Sequence, residues 1–306
     1  VIGLGCECAQ ISLYNQSQLD KNIDYLNIQD EGGTKEIINK VSEKIIKELA
    51  TINNIKRTPI PISELNVALQ CGGSDSYSGI TANPALGIAS DMLVNHGGSS
   101  ILSETTEIYG AEHLLYERSI NKKNIEKIEK QIEWWKEHLT KNHSTLDNNP
   151  SPGNKRGGLT TILEKSLGAV AKSGNSPMVD VLDYGEPVKT KGFNFMNGPG
   201  YDPVSVTGQV ASGANIICFT TGRGSCFGFK PTPSIKIATN TNMYNKLSED
   251  MDINAGTIMD NVASVNEVGK EIFDKIISVA SGEKSKSEIN DYGDDEFNPW
   301  IIGATL

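Results

Sequence analysis

Long apolar runs are missing from this 306-residue sequence. Nothing in it approaches the roughly 20 apolar residues that cross a bilayer, so no membrane span is predicted. A secretory signal pattern is missing too, and the five cysteines, an odd number, show no regular disulfide framework. These absences predict a reducing, cytoplasmic setting. Excess positive charge is also lacking. The net charge of −10 argues against a general nucleic-acid binder and against docking on an anionic membrane surface. An anionic substrate would have to be received by local cations, against the overall field. There is no initiator Met: the chain opens on Val1-Ile2-Gly3-Leu4, a buried-strand pattern. That start predicts a piece of a longer protein, with part of the site outside it.

The residues present have the balance of a soluble globular protein, 37% apolar and 22% charged, long enough for one large or two ordinary domains. One stretch organises the chain. Leu65 to Leu69 reads as a short buried strand and Ala85 to Val94 as an apolar-periodic helix. Between them, Gln70 to Pro84 carries glycines, hydroxyls, an amide and an aspartate with almost nothing to fill a core. Open α/β sheets place ligands on such strand-end loops. Gly72 and Gly73 allow a close backbone approach. Ser74, Asp75, Ser78, Thr81 and Asn83 suit a small, oxygen-rich anion. A long structural turn is the plainer alternative.

Upstream, Gly5-Cys6-Glu7-Cys8 ends the first strand. Cys6 stands where a strand-end ligand would stand, but two cysteines two apart are not a metal knuckle, and Cys8 reads as a buried apolar thiol. Thr34 to Leu49 is a convincing amphipathic helix. Downstream, Ser99 to Leu102 is a strand that runs into Ser103-Glu104-Thr105-Thr106-Glu107. Two strand–loop–helix units in succession predict a mostly parallel sheet, with Glu104 on the same edge as Ser74 and Asp75. Glu104 and Glu107, three apart, are candidates for a general base or for oxygen ligands of a divalent metal. Glu107 also reads as a solvated acid at a helix N-terminus. His113 sits in a helical register with Leu114 and Leu115, where a structural role competes with a catalytic one. Asn124 to Leu139 carries an apolar stripe and no chemistry.

The segment Asp147 to Gly158 has a linker's composition, yet it sets Asn154, Lys155 and Arg156 among glycines before a helix, an arrangement that captures carboxylates. It is not a Walker A loop, because the Gly-Lys-Ser/Thr order is absent. Further strands are predicted at Met178 to Leu182, Gly192 to Met196, Asn215 to Phe219 and Ile235 to Ala238. Asp202 lies near the start of a helix as cap or site group. Arg223, between two glycines after Thr221, has the fork for a carboxylate. The predicted class is α/β, with mostly parallel sheets, flanking helices and two packed subdomains: residues 1–145 with the Cys71-Gly72-Gly73-Ser74-Asp75 loop, and 146–306 with the Asn149–Lys155 and Thr220–Gly224 loops.

Five ordered motifs then resemble one family. Gly3-Leu4-Gly5-Cys6-Glu7, Gln70-Cys71-Gly72-Gly73-Ser74-Asp75, Ser78-Gly79-Ile80-Thr81-Ala82-Asn83-Pro84, Asn149-Pro150-Ser151-Pro152-Gly153-Asn154-Lys155 and Thr221-Gly222-Arg223-Gly224 resemble the altronate/galactarate dehydratase family over essentially the whole chain. The resemblance implies the C-terminal catalytic portion of a longer enzyme whose partner is its own N-terminal SAF-type region, and a homo-oligomer is compatible with it. It implies a lyase that dehydrates a sugar acid to a 2-keto-3-deoxy acid with a divalent metal, commonly iron(II), with manganese as the second choice. On that reading Lys155 and Arg223 hold a carboxylate. The loop side chains hold hydroxyls. Glu104 is the leading base, with Asp202 and His113 behind it, and Cys6 and Cys71 are candidate metal ligands. A sulfo-lyase on the same scaffold and a non-catalytic sugar-acid binding module are the alternatives.

Overall fold

The computed structural model describes residues 1–6 and 23–302. They divide into two units, Val1–Pro59 and Ile60–Leu306. In the first, β1 (Ile2–Gly3) pairs in parallel with β2 (Leu26–Asn27), and α1 (Thr34–Ile52) follows. Thr34 is the first helical residue, and Gly33 holds the N-cap position. The expected apolar face of α1 is largely uncovered: Ile37 is buried, while Ile38, Ile45, Ile46 and Leu49 are exposed. Cys8 lies outside the described residues.

The second unit holds β3 (Asn66–Cys71), α2 (Ala82–Asn95), β4 (Ser99–Leu102), α3 (His113–Tyr116), α4 (Lys122–Lys141), α5 (Pro152–Arg156) and α6 (Ile162–Ala171). It continues with β5 (Met178–Leu182), β6 (Phe193–Met196), α7 (Asp202–Ala211), β7 (Ile216–Thr221), β8 (Ser234–Ala238), α8 (Thr241–Lys246), β9 (Ile253–Asn254), α9 (Val265–Ala280) and α10 (Lys286–Ile289). Its seven strands form one parallel sheet in the order β5-β6-β4-β3-β7-β8-β9. Both faces of such a sheet are covered, so its strands read as continuous apolar runs. Along β3 the side chains alternate between two cores. Val67 and Leu69 pack with Leu86 and Leu93 of α2 and Ile272 and Ile276 of α9. Ala68 packs with Ile217, Phe219 and Val206 of α7 on the other face.

This topology corrects the expected division at 145/146. β3 and β4 come from before that point and are flanked on one side by β5 and β6 and on the other by β7, β8 and β9, all from after it. A strand buried on both faces leaves nothing to separate, so the two halves share one core. The chain first builds outward from β3 through β4, then returns and crosses to the opposite side of β3 at β7. That reversal opens a crevice beyond the carboxyl ends of β3 and β7, where open parallel sheets bind ligands.

Candidate active site

Four strand ends supply the site. β3 ends at Cys71 and runs into Gly72-Gly73, β4 leads to Glu104 and Glu107, β6 to Asp202 and β7 to Arg223. They surround a cleft of about 570 Å³ lined by Cys71, Gly72, Gly73, Glu107, Asp202 and Arg223 from these ends. Trp135 from α4, Asn149, Arg156 and Lys165 complete much of its wall.

At the floor is a buried network of opposite charges. Lys165 Nζ donates to Glu107 Oε1 at 2.6 Å and to Asn149 Oδ1 at 2.8 Å, and Asn149 Nδ2 donates to the same Glu107 oxygen at 2.8 Å. Lys172, fully buried one residue past α6, sets its Nζ 2.9 Å from Cys71 Sγ. Cys71 Sγ lies 3.8 Å from Glu107 Oε2. Burial alone would raise Glu107, but Lys165, Lys172 and these hydrogen bonds outweigh it and hold its carboxyl below the usual range. Burial works against both ammonium groups as well, yet the surrounding acid groups keep Lys165 and Lys172 above the ordinary lysine value. Burial pushes the Cys71 thiol up, with Lys172 opposing it in part.

Glu104 and Asp202 stand differently. Glu104 is 1% exposed, takes a left-handed backbone (φ 75°, ψ 73°), and neither carboxylate oxygen has a hydrogen-bond partner among the described residues. A non-glycine residue there costs on the order of 1–2 kcal/mol, so the fold holds it in place against a local penalty. Burial, then the charge of Glu107, raises its carboxyl well above the carboxylate range. Asp202, the first residue of α7, is raised to about 7, first by burial and then by Glu107. Its carboxylate lies over Gly72, where a side-chain carbon would overlap it, so Gly72 lets the acid reach the cleft floor.

The ligand atoms of Cys71, Glu104 and Glu107 lie within 4.8 Å of one another. One sulfur and two carboxylates suit a first-row divalent metal better than magnesium or calcium. The partnerless Glu104 oxygens are what such a cation would satisfy.

Most of the expected loop ligands face inward. Asp75 Oδ1 accepts from the Ser78 hydroxyl at 3.0 Å, and both its oxygens from Thr239 Oγ1 at 3.0 and 2.9 Å; Asn240 adds a bond at 3.1 Å. Thr81 Oγ1 lies 2.8 Å from the Thr239 carbonyl. Asn83 donates to the Gly168 carbonyl and accepts from Thr220. Asn154 closes a capping box with Ser151 at the start of α5 and donates to the Ser74 carbonyl. Thr221 Oγ1 accepts from the Gly224 amide. These groups shape the loops. Buried polar atoms must find partners, and here their neighbours supply them; Asn154 alone of these also lines the cleft wall.

Three further expectations move. His113 is exposed at the start of α3 and is not part of the cleft wall. Lys155 is exposed, and its neighbour Arg156 lines the cleft instead. Glu104 lies beneath the wall rather than in it, which places Asp202 and Glu107 nearer to anything bound there. Cys6, in the first unit, is exposed and accepts from Gln29 Nε2 at 3.3 Å. Sequence reasoning missed Lys165, Lys172 and Asn149. The signal was there: two lysines seven apart lie two turns apart on one helix face, in a segment otherwise made of small and apolar residues.

Known proteins resemble the chain over this same region. A family model described as D-galactarate/altronate dehydratase, C-terminal, matches residues 62–305. The chain is 41% identical over 295 residues to the altronate dehydratase of Bacillus subtilis (strain 168), covering 95% of this chain and 59% of that protein. It is 41% identical over 292 residues to the galactarate dehydratase (L-threo-forming) of Escherichia coli (strain K12), covering 93% and 56%. It is 32% identical over 263 residues to the (2R)-sulfolactate sulfo-lyase subunit beta of Chromohalobacter salexigens, covering 85% and 67%. The chain thus spans somewhat more than half the length of the two dehydratases.

Proposed function

The chain belongs to the D-galactarate/altronate dehydratase family, and from that premise we propose that it is the catalytic portion of a sugar-acid hydro-lyase. The observation that carries the reading is the pairing of a proton-holding Asp202 with the buried Lys165–Glu107 pair on one cleft wall. Removal of water from an aldonic or aldaric acid breaks the C–H bond α to the carboxylate. Its electrons form a C=C bond as the β-hydroxyl departs, and that oxygen leaves as water after taking a proton. The enol then tautomerises to a 2-keto-3-deoxy acid. Asp202 is the base, with an affinity for protons near neutrality as such a role requires. Lys165, held by Glu107 and Asn149, presents an ammonium to developing negative charge or to the departing oxygen. Arg156 and Arg223 bring cations to the wall for the anionic substrate.

Cys71, Glu104 and Glu107 would hold the divalent metal, iron(II) or manganese. When bound it supplies Lewis acidity toward substrate oxygens. Glu104 therefore becomes a ligand rather than the base, and Cys71 remains a ligand.

The test is turnover of D-altronate and D-galactarate by the full-length protein, loaded anaerobically with iron(II). Formation of a 2-keto-3-deoxy acid, abolished by chelation and restored by metal, supports the reading. A folded, metal-loaded protein inactive on both acids but releasing sulfite from sulfolactate would replace it with sulfo-lyase chemistry.

A further inference from the structure

Arg223 stands between two clefts. Besides the one over Asp202 and Glu107, it lines a neighbouring cleft of about 520 Å³ shared with Gly222, Asn240, Asn242 and Lys246. Its turn is fixed from several directions. The amides of Gly222 and Arg223 both donate to the Gly73 carbonyl, at 3.1 and 2.9 Å. Asn240 donates to the Gly222 carbonyl, and Gly222 packs so closely on the Asp75 carboxylate that a side-chain carbon would overlap it. Asp75 is the carboxylate of this second cleft, and its oxygens are already taken by Thr239, Asn240 and Ser78. Neither Arg223 nor Lys246 has an ion-pair partner among the described residues. The second cleft therefore presents two free cations on a chain whose net charge is −10.

The spacing from the reacting groups is bounded by the Gly72-Gly73 turn. The Asp202 carboxylate lies over Gly72, and Arg223 Cβ lies 3.3 Å from where a side chain would start at Gly73, the next residue. The Asp202 carboxylate and Arg223 Cβ are thus at most about 12 Å apart. An extended six-carbon acid spans about 6–7 Å between its terminal carbons. A substrate whose acidic C–H stands at Asp202 and whose chain runs toward Gly73 brings its far end within reach of the Arg223 side chain, which lines both clefts.

We propose that Arg223 and Lys246 form a subsite for the far carboxylate of a dicarboxylic sugar acid, so that this chain prefers aldarates to aldonates. The inference rests on the hydro-lyase reading for the placement of the near end. Charge-assisted hydrogen bonds of this kind correspond to roughly 10- to 100-fold in affinity.

The experiment is isothermal titration of galactarate and of D-galactonate, which differ only at the far carbon, into full-length, metal-loaded Asp202→Asn protein, with and without Lys246→Ala. Galactarate should bind at least about tenfold more tightly, and Lys246→Ala should shrink that ratio severalfold. Equal affinities, or a ratio that Lys246→Ala leaves unchanged, would overturn the subsite. Turnover by the wild-type protein is scored separately. Absence of any dehydration with the galactarate preference intact rejects the hydro-lyase reading and leaves the subsite standing. Dehydration without the preference rejects the subsite alone.

Discussion

Replacing Asp202 by Asn should stabilise the metal-free protein at alkaline pH while removing its activity. Burial and Glu107 raise this carboxyl from an ordinary 3.8 to about 7. A carboxyl raised by folding holds its proton more tightly in the native state. Its contribution is greatest below the unfolded value and is lost as pH climbs to the folded one. The full difference is about 4 kcal/mol, of which more than half falls between pH 5 and pH 8. The amide of the Asp202→Asn variant acquires no such charge, so its stability should lack that decline. Urea denaturation of chelated full-length protein at pH 5 and pH 8, wild type beside Asp202→Asn, measures the slope directly. In parallel, dehydration should fall by about 10²- to 10⁴-fold. The same pH dependence in both proteins would refute the account of a buried, proton-holding acid. Turnover within tenfold of wild type would remove Asp202 from proton abstraction.

Five other substitutions follow from the same geometry. Lys165→Met leaves the buried Glu107 without its ammonium and should cost about 3–5 kcal/mol in denaturation, along with most of the activity. Glu104→Gln should leave the metal-free fold at least as stable as wild type, because it removes a partnerless buried acid, yet lower bound metal well below one equivalent by elemental analysis. Gly222→Ala forces a side-chain carbon into the Asp75 carboxylate and should lower the denaturation midpoint by an amount worth about 1–3 kcal/mol. His113→Ala and Lys155→Ala, both exposed and off the cleft wall, should each change kcat/KM by less than about threefold.

Local pattern made much of the fold legible. The apolar runs at Val67 to Leu69 and Ile216 to Phe219 announce buried parallel strands, and Gly72-Gly73 after one of them marks a close approach at a strand end. Strand order was not legible, because nothing local in β4 says that β6 rather than β5 will lie beside it. The site divided along the same line. Asp202 was visible as an acid near a predicted helix start, and Arg223 as a cation between glycines after a predicted strand. Ser78, Thr81 and Asn83 looked equally functional, since a sequence does not show that Asp75 will meet the first, Thr239 the second, and Thr220 and Gly168 the third. Lys165 and Lys172 were hidden for the opposite reason. Lysine on a helix reads as solvated by default, and only Glu107 and the end of β3 beside α6 draw that face inward.

The interleaved strand order also governs the timing of assembly on the ribosome. β3 is made early, but the neighbour that closes its second edge, β7, begins at Ile216. Throughout the synthesis of roughly 140 intervening residues, β3 has at most the β4 side paired and its other row of amides and carbonyls open. A nascent chain stalled before β7 therefore carries an unsatisfied, core-forming strand at its centre, where aggregation and chaperone capture compete with folding. Slowing translation between β6 and β7 should lower the soluble yield more than slowing it after β9.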